Sequence, residues 1–164
     1  MANYPPSDYP DIGDLGEDLV ANWLQSRGWI ILQRRFSCRW GEIDIIAQFE
    51  DKGTNGDRNQ DSLLAFVEVK TRSFGSWDSG GREAIAAKKQ AKLWRTAQIF
   101  LTKYPEKADC PCQFDVAIVF CQRISKKVTS AVTQEALATS SVGGYELKLQ
   151  EYIPAAFDSL IDQL

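Results

Sequence analysis

The chain has 164 residues, 44% of them hydrophobic and 25% charged, with a formal net charge of −3. That length fits one hydrophobic core, and no run approaches the roughly 20 apolar residues a membrane helix needs. There is no histidine, which excludes His-based triads, His metal cages and a histidine general base; acid–base or metal chemistry must rest on carboxylates and lysine.

Met1 to Pro10 is polar and Pro-rich and lacks the basic start of a secretory signal. We expect a flexible tail over residues 1–12, a single domain over 13–164 and a cytoplasmic location. Gly13 to Arg27 reads as a helix, with Asp14 as N-cap, Leu15, Leu19, Trp23 and Leu24 at helical spacing, and Gly28 ending the run. Trp29 to Arg35 and Trp40 to Phe49 read as strands, and the polar stretch from Glu50 to Ser62 as a surface loop. Leu63 to Thr71 is a third strand whose apolar start suggests a central, buried place. Ser73 to Gly81 is a Gly/Ser-rich loop. A long helix follows from Glu83 to Tyr104, with Ile85, Leu93, Ala97, Phe100 and Leu101 on one side. Pro105 to Pro111 breaks the chain, Phe114 to Phe120 is another strand, and Lys126 to Thr133 is a candidate to pair with it. From Tyr145 onward no clear pattern emerges. The order α-β-β-β-α-β predicts an α/β fold, a mixed sheet flanked by helices.

The cysteines, Cys38, Cys110, Cys112 and Cys121, lack zinc-type spacing and read as incidental. Acidic overall, the chain argues against nucleic acid at face value. Yet between Lys70 and Tyr104 eight basic residues face only two acids. Contacts to a polyanion depend on local charge, although a solvated basic helix face gives the same count.

The strongest signals are charges inside apolar strands. Period two places Glu42, Asp44 and Ile46 on one face of the second strand and Ile43, Ile45 and Ala47 on the other. In the third strand it groups Glu68 with Lys70, opposite Val67 and Val69. Asp44, Glu68 and Lys70 can then share a face. Buried carboxylates are costly unless paired or metal-bound, and an oxygen-only donor set favours Mg²⁺ or Mn²⁺. Lys70 could hold an attacking water and stabilise phosphate charge. A structural Glu68–Lys70 ion pair is the plainer alternative. Glu17, on the Val20, Ala21 and Leu24 side of the first helix, points partly inward or serves the helix dipole. Lys89 and Lys92 on the long helix, with Arg72 and Arg82, are candidate phosphate contacts; Lys89 could equally snorkel.

These residues carry a resemblance. Gly16-Glu17, Gly28-Trp29, Gly41-Glu42-Ile43-Asp44-Ile45-Ile46, Phe66-Val67-Glu68-Val69-Lys70-Thr71-Arg72, Lys89, Lys92-Leu93, Phe114-Asp115-Val116 and the segment Ile153 to Phe157 together resemble the family of small bacterial proteins named after YraN, or UPF0102. That family looks like the archaeal Holliday junction resolvases of the restriction-endonuclease-like superfamily. The resemblance implies a restriction-endonuclease-like core, Asp44 and Glu68 as ligands of Mg²⁺ or Mn²⁺, Lys70 as catalytic lysine and Glu17 as the helix carboxylate. It implies DNA as partner and, by analogy with two-fold symmetric junctions, a homodimer. Two departures stand out: Gln113 occupies a position where a basic residue is usual, and the loop from Glu50 to Ser62 is long.

The expected function is therefore metal-dependent endonuclease action on structured or branched DNA. The alternative is a non-catalytic module that binds nucleic acid or protein on a nuclease scaffold. Glycoside hydrolysis by a carboxylate pair gives Lys70 and the basic helix no role.

Overall fold

The computed structural model describes residues 11–50, 62–73, 87–124 and 135–157. Helix α1 spans Ile12–Ser26. Strands β1 (Ile30–Cys38), β2 (Gly41–Glu50) and β3 (Ser62–Ser73) follow, then helix α2 (Ala87–Lys103) and a short 3-10 turn at Pro105–Lys107. Strands β4 (Cys112–Arg123), β5 (Ala138–Val142) and β6 (Tyr145–Phe157) complete the sheet, whose order is β1-β2-β3-β4-β6-β5. Only β3 and β4 run parallel; the other neighbours are antiparallel. The central place of β3 and the mixed sheet match the α/β expectation.

The two faces carry separate cores, each with one helix. On the α1 side Leu19, Val20 and Leu24 pack with Ile45, Ala65, Val67, Ala117, Val119, Leu147 and Leu149. On the α2 side Leu93, Ala97 and Phe100 pack with Phe36, Ile43, Ile46, Phe66 and Phe114, and Phe100 meets the rings of Phe36 and Phe66 edge-on. No described helix is long and apolar enough to cross a membrane.

Several boundaries differ from the sequence reading. Asp11, not Asp14, caps α1: its carboxylate accepts from the Gly13 amide at 2.9 Å. The helix therefore begins inside the expected tail, whose residues 1–10 lie outside the described ones. Asp14 stands in the first turn, where an acid suits the helix dipole, and it pairs with Arg35. The proposed strand at Lys126 to Thr133, Arg82, most of the Gly/Ser-rich loop and the start of the long helix also lie outside the described residues. The strand pairing β4 on its far side is β6, the segment that showed no pattern.

Gly16 sets how closely α1 approaches β3. A Cβ built there would lie 2.0 Å from Thr71 Oγ1, and Thr is stiff at χ1. Gly16→Ala, which raises helix propensity, is nonetheless expected to destabilise the fold by about 2 kcal/mol, because overpacking outweighs propensity. A urea midpoint that rises in this variant would refute the close-approach argument.

Candidate active site

The site forms where the β2–β3 ladder stops. The ladder runs from Glu50↔Ser62 to Ile45↔Val67. One residue beyond, the Asp44 side chain takes over and accepts the Val69 amide at 2.7 Å. A carboxylate thus replaces a ladder carbonyl, which anchors Asp44 to β3 next to Glu68.

Strict alternation fails at this point. Ile43 and Ile46 both pack on the α2 side, while Ile45 and Ala47 pack on the α1 side. The expected grouping of Ile46 with Asp44 is therefore corrected. The slip has a partner in β1, where Arg35 adopts a left-handed backbone with φ 53°. Arg35 and Asp44 lie between the strand pairs Arg34↔Ile45 and Phe36↔Ile43. In a regular strand successive side chains point to opposite faces. With Arg35 left-handed, Arg34 and Arg35 reach the same acceptor: Arg34 Nε donates to Glu17 Oε1 at 3.0 Å and Arg35 Nε to Glu17 Oε2 at 3.3 Å.

Glu17 is buried, with 7% of its side chain exposed, on the same helix face as Val20 and Leu24. A lone carboxylate there would be costly; both of its oxygens carry a guanidinium partner. Arg34 also pairs with Asp18. Sequence reasoning missed both arginines, because two adjacent basic residues in a strand imply opposite faces and nothing in the sequence announces the left-handed Arg35.

Asp14, Glu17, Arg35, Glu42, Asp44 and Val69 line a hollow of about 320 Å³ at the mouth of this arrangement, closed by Gly13. Four carboxylates face one guanidinium. Asp44 bears the consequence: burial first, then the charge of Glu68, pushes its carboxyl up to about 7, with Glu17 and Glu42 adding to the effect and the Val69 amide opposing it.

Glu68 and Lys70 alternate together away from Val67 and Val69, as expected; those valines belong to the α1-side core, so the pair faces the α2 side. Glu68 forms an ion pair with Lys89 of α2, and Lys70 is buried with 9% exposure. Asp44 instead opens toward α1, so the common face expected for Asp44, Glu68 and Lys70 is corrected: Glu68 acts on Asp44 through its charge at the end of the ladder and not from the same pleat face. Arg72 is half-buried at the end of β3, and Lys92 is exposed one turn beyond Lys89. Among the described residues no group of three or more Asp, Glu or Cys side chains converges as a metal cage would. Asp44 and Glu68 are the carboxylates that could hold a hard cation.

Asp115, the acid of the Phe-Asp-Val segment, is fully buried in β4 and stands apart from this hollow. It accepts from Tyr152 Oη, from Gln113 Nε2 at 2.9 and 3.2 Å, and from the Ala155 amide at 2.9 Å. Ala155 is left-handed, φ 47°, within the register shift of the β4–β6 pairing. Gln113, the departure noted in the sequence, thus acts structurally by satisfying a buried carboxylate that holds the bulge of β6.

The family model described as "Uncharacterised protein family UPF0102" matches residues 16–119. That span contains Glu17, the Gly-Glu-Ile-Asp start of β2 and the Val-Glu-Val-Lys stretch of β3. A "UPF0102 protein" of Trichormus variabilis is 63% identical over 153 residues, covering 93% of this chain and 97% of its own. A Nostoc relative is 61% identical over 151 residues, covering 92% and 96%. One from Trichodesmium erythraeum is 48% identical over 162 residues, covering 90% and 88%. The chain belongs to the UPF0102 family.

Proposed function

We propose that this protein is a divalent-metal-dependent phosphodiesterase acting on structured or branched DNA. The observation that carries the reading is the pair Asp44 and Glu68 at the end of the β2–β3 ladder, with Lys70 buried two residues further along β3. The donor set fits magnesium or manganese. It offers two carboxylates and no nitrogen or sulfur ligand, and Mg²⁺ is commonly held by one or two carboxylates while keeping several waters. A cation would also offset the burial and the carboxylate repulsion that together push Asp44 up to about 7.

Asp44 and Glu68 would hold the ion, which when bound polarises a phosphate oxygen and makes water more acidic. The Val69 amide fixes the Asp44 carboxylate, and α2 orients Glu68 through Lys89. Lys70 would orient the attacking water and offset negative charge on the phosphate. Arg72, Lys89 and Lys92 supply positive charge on the α2 side for the flanking backbone, a role that stabilises binding without reading sequence. A junction substrate would favour a homodimer, since each symmetric strand needs its own site.

The test is a cleavage panel of four-way junctions, flaps, duplex and single strands with Mg²⁺, Mn²⁺ or EDTA, beside Lys70→Ala. We expect metal-dependent cutting of at least one branched substrate and a loss of roughly a hundredfold or more in the variant. Failure of the wild-type protein to cut any of them, with junctions still bound, would replace the hydrolase with a binding module.

A further inference from the structure

The face beside the β1–β2 turn carries a second feature. Arg39 and Arg95, from the turn and from α2, both lie over the ring of Trp40, with guanidinium carbons 4.7 and 4.5 Å from its centroid. Both arginines are exposed, and Trp40 is half-buried. Among the described residues neither guanidinium has a carboxylate within ion-pairing distance, in contrast to Arg34 and Arg35. Lys92 adds a third charge: a Cβ built on Gly41 would lie 3.9 Å from Lys92 Cβ, so this lysine borders the same turn. The positive cluster opens onto a surface groove of about 630 Å³, whose walls include Trp40, Arg95, Gln98, Ile99 and Thr102. Ile99 is 42% exposed and gives the groove an apolar wall beside Trp40.

We propose that this groove receives an unpaired DNA strand flanking the scissile phosphate, with phosphates held by Arg39, Arg95 and Lys92. The proposal rests on the nucleic-acid-directed reading of the carboxylate site. Trp40 precedes Gly41 and Glu42, and Glu42 lines the carboxylate hollow, so one short turn joins the two features. A guanidinium resting on an aromatic ring is pre-organised, and its N–H fork matches phosphate oxygens. The groove is within the size range of ligand sites, about 300–1,000 Å³. Its apolar walls, Trp40 and Ile99, suit the faces of a base, and Gln98 and Thr102 offer hydrogen bonds to base edges. Bases in a duplex are stacked on each other and cannot enter; an unpaired strand can, and stacking with basic contacts is how such strands are held.

The test is fluorescence anisotropy in EDTA across a salt series, so that binding is read without cleavage. Three probes are used: a labelled duplex with a single-stranded DNA overhang, the same duplex blunt-ended, and the same duplex with an RNA overhang. Wild-type protein is expected to prefer the DNA overhang. Arg39→Gln with Arg95→Gln should weaken that binding about tenfold and flatten the slope of log K against log salt by about 1.5, the loss of two phosphate contacts. The blunt duplex should be affected less. Trp40→Phe should keep most of the affinity, because a ring still supports both guanidinia. Equal binding of blunt and overhang probes, an unchanged slope in the double variant, tighter binding of the RNA overhang, or no binding by wild-type protein would each overturn the proposal. Arginine-dependent overhang binding without any metal-dependent cleavage would refute the hydrolase and leave the groove standing.

Discussion

Asp44→Asn is expected to reduce metal-dependent cleavage by about a hundredfold or more and, at the same time, to stabilise the metal-free protein. The two effects share one cause. Asp44 is anchored by the Val69 amide and raised to about 7 by burial and by Glu68, Glu17 and Glu42. In the unfolded chain the same carboxyl ionises near 3.8. Below that value both states are protonated and the fold loses nothing. As pH rises from there toward 7, the unfolded chain releases its proton and the folded one does not, so stability falls across that window and stays low above it. Asparagine keeps the shape and an oxygen to accept from Val69, yet carries no charge. Thermal melts in EDTA should therefore coincide for the two proteins below about pH 3.8 and separate as pH rises from there toward 7. Well above neutrality the variant should be more stable by about 2 kcal/mol, roughly 4–8 °C. Mg²⁺ should raise the melting temperature of the wild-type protein and have little effect on the variant. A variant less stable than wild type at alkaline pH would mean that the carboxylate is not under repulsion and that the cation has no such strain to relieve.

The charges that form this site were legible because they interrupt apolar strands. Asp44, Glu68 and Lys70 each break a run that would otherwise be continuous core, and Glu17 breaks an amphipathic helix on its buried side. Their mutual arrangement was less legible. Period two describes β3 well, where Val67 and Val69 face α1 and Glu68 reaches Lys89. It fails in β2, because the ladder ends at Ile45↔Val67 and the left-handed Arg35 shifts the alternation of its neighbours. Left-handed Arg is a tertiary outcome, offset here by ion pairs to Glu17 and Asp14, so no local rule anticipates it. The C-terminal strands had a usable signal in Gly143-Gly144. Both glycines have positive φ, 59° and 81°, and form the two-residue turn between Val142 and Tyr145. What hid β6 is its bulge: Pro154 and the left-handed Ala155 interrupt the strand pattern, and the buried Asp115, remote in sequence, accepts the Ala155 amide and so helps hold that irregularity in place.

Glu17 separates a ligand from a positioning residue, and the separation is measurable. Glu17→Ala should cost about 1–2 kcal/mol in a chemical denaturation, since it removes the buried acceptor shared by Arg34 and Arg35, while Arg34 keeps Asp18 and Arg35 keeps Asp14. Glu17→Gln keeps the volume and removes the charge. Glu17 is one of the acids that raise Asp44, so this variant should let Asp44 ionise at lower pH. Binding of Mn²⁺ competes with that proton, so its midpoint should move toward acid, while affinity at alkaline pH weakens because one negative charge is gone. Cleavage by Glu17→Gln should then fall far less than cleavage by Asp44→Asn when both are measured at alkaline pH and saturating metal. A direct ligand behaves differently. Its amide variant loses turnover at every pH and metal concentration, and its Mn²⁺ midpoint does not shift toward acid. Glu17 with both oxygens held by arginines is placed for the first behaviour; observing the second would require those two ion pairs to open when the cation binds.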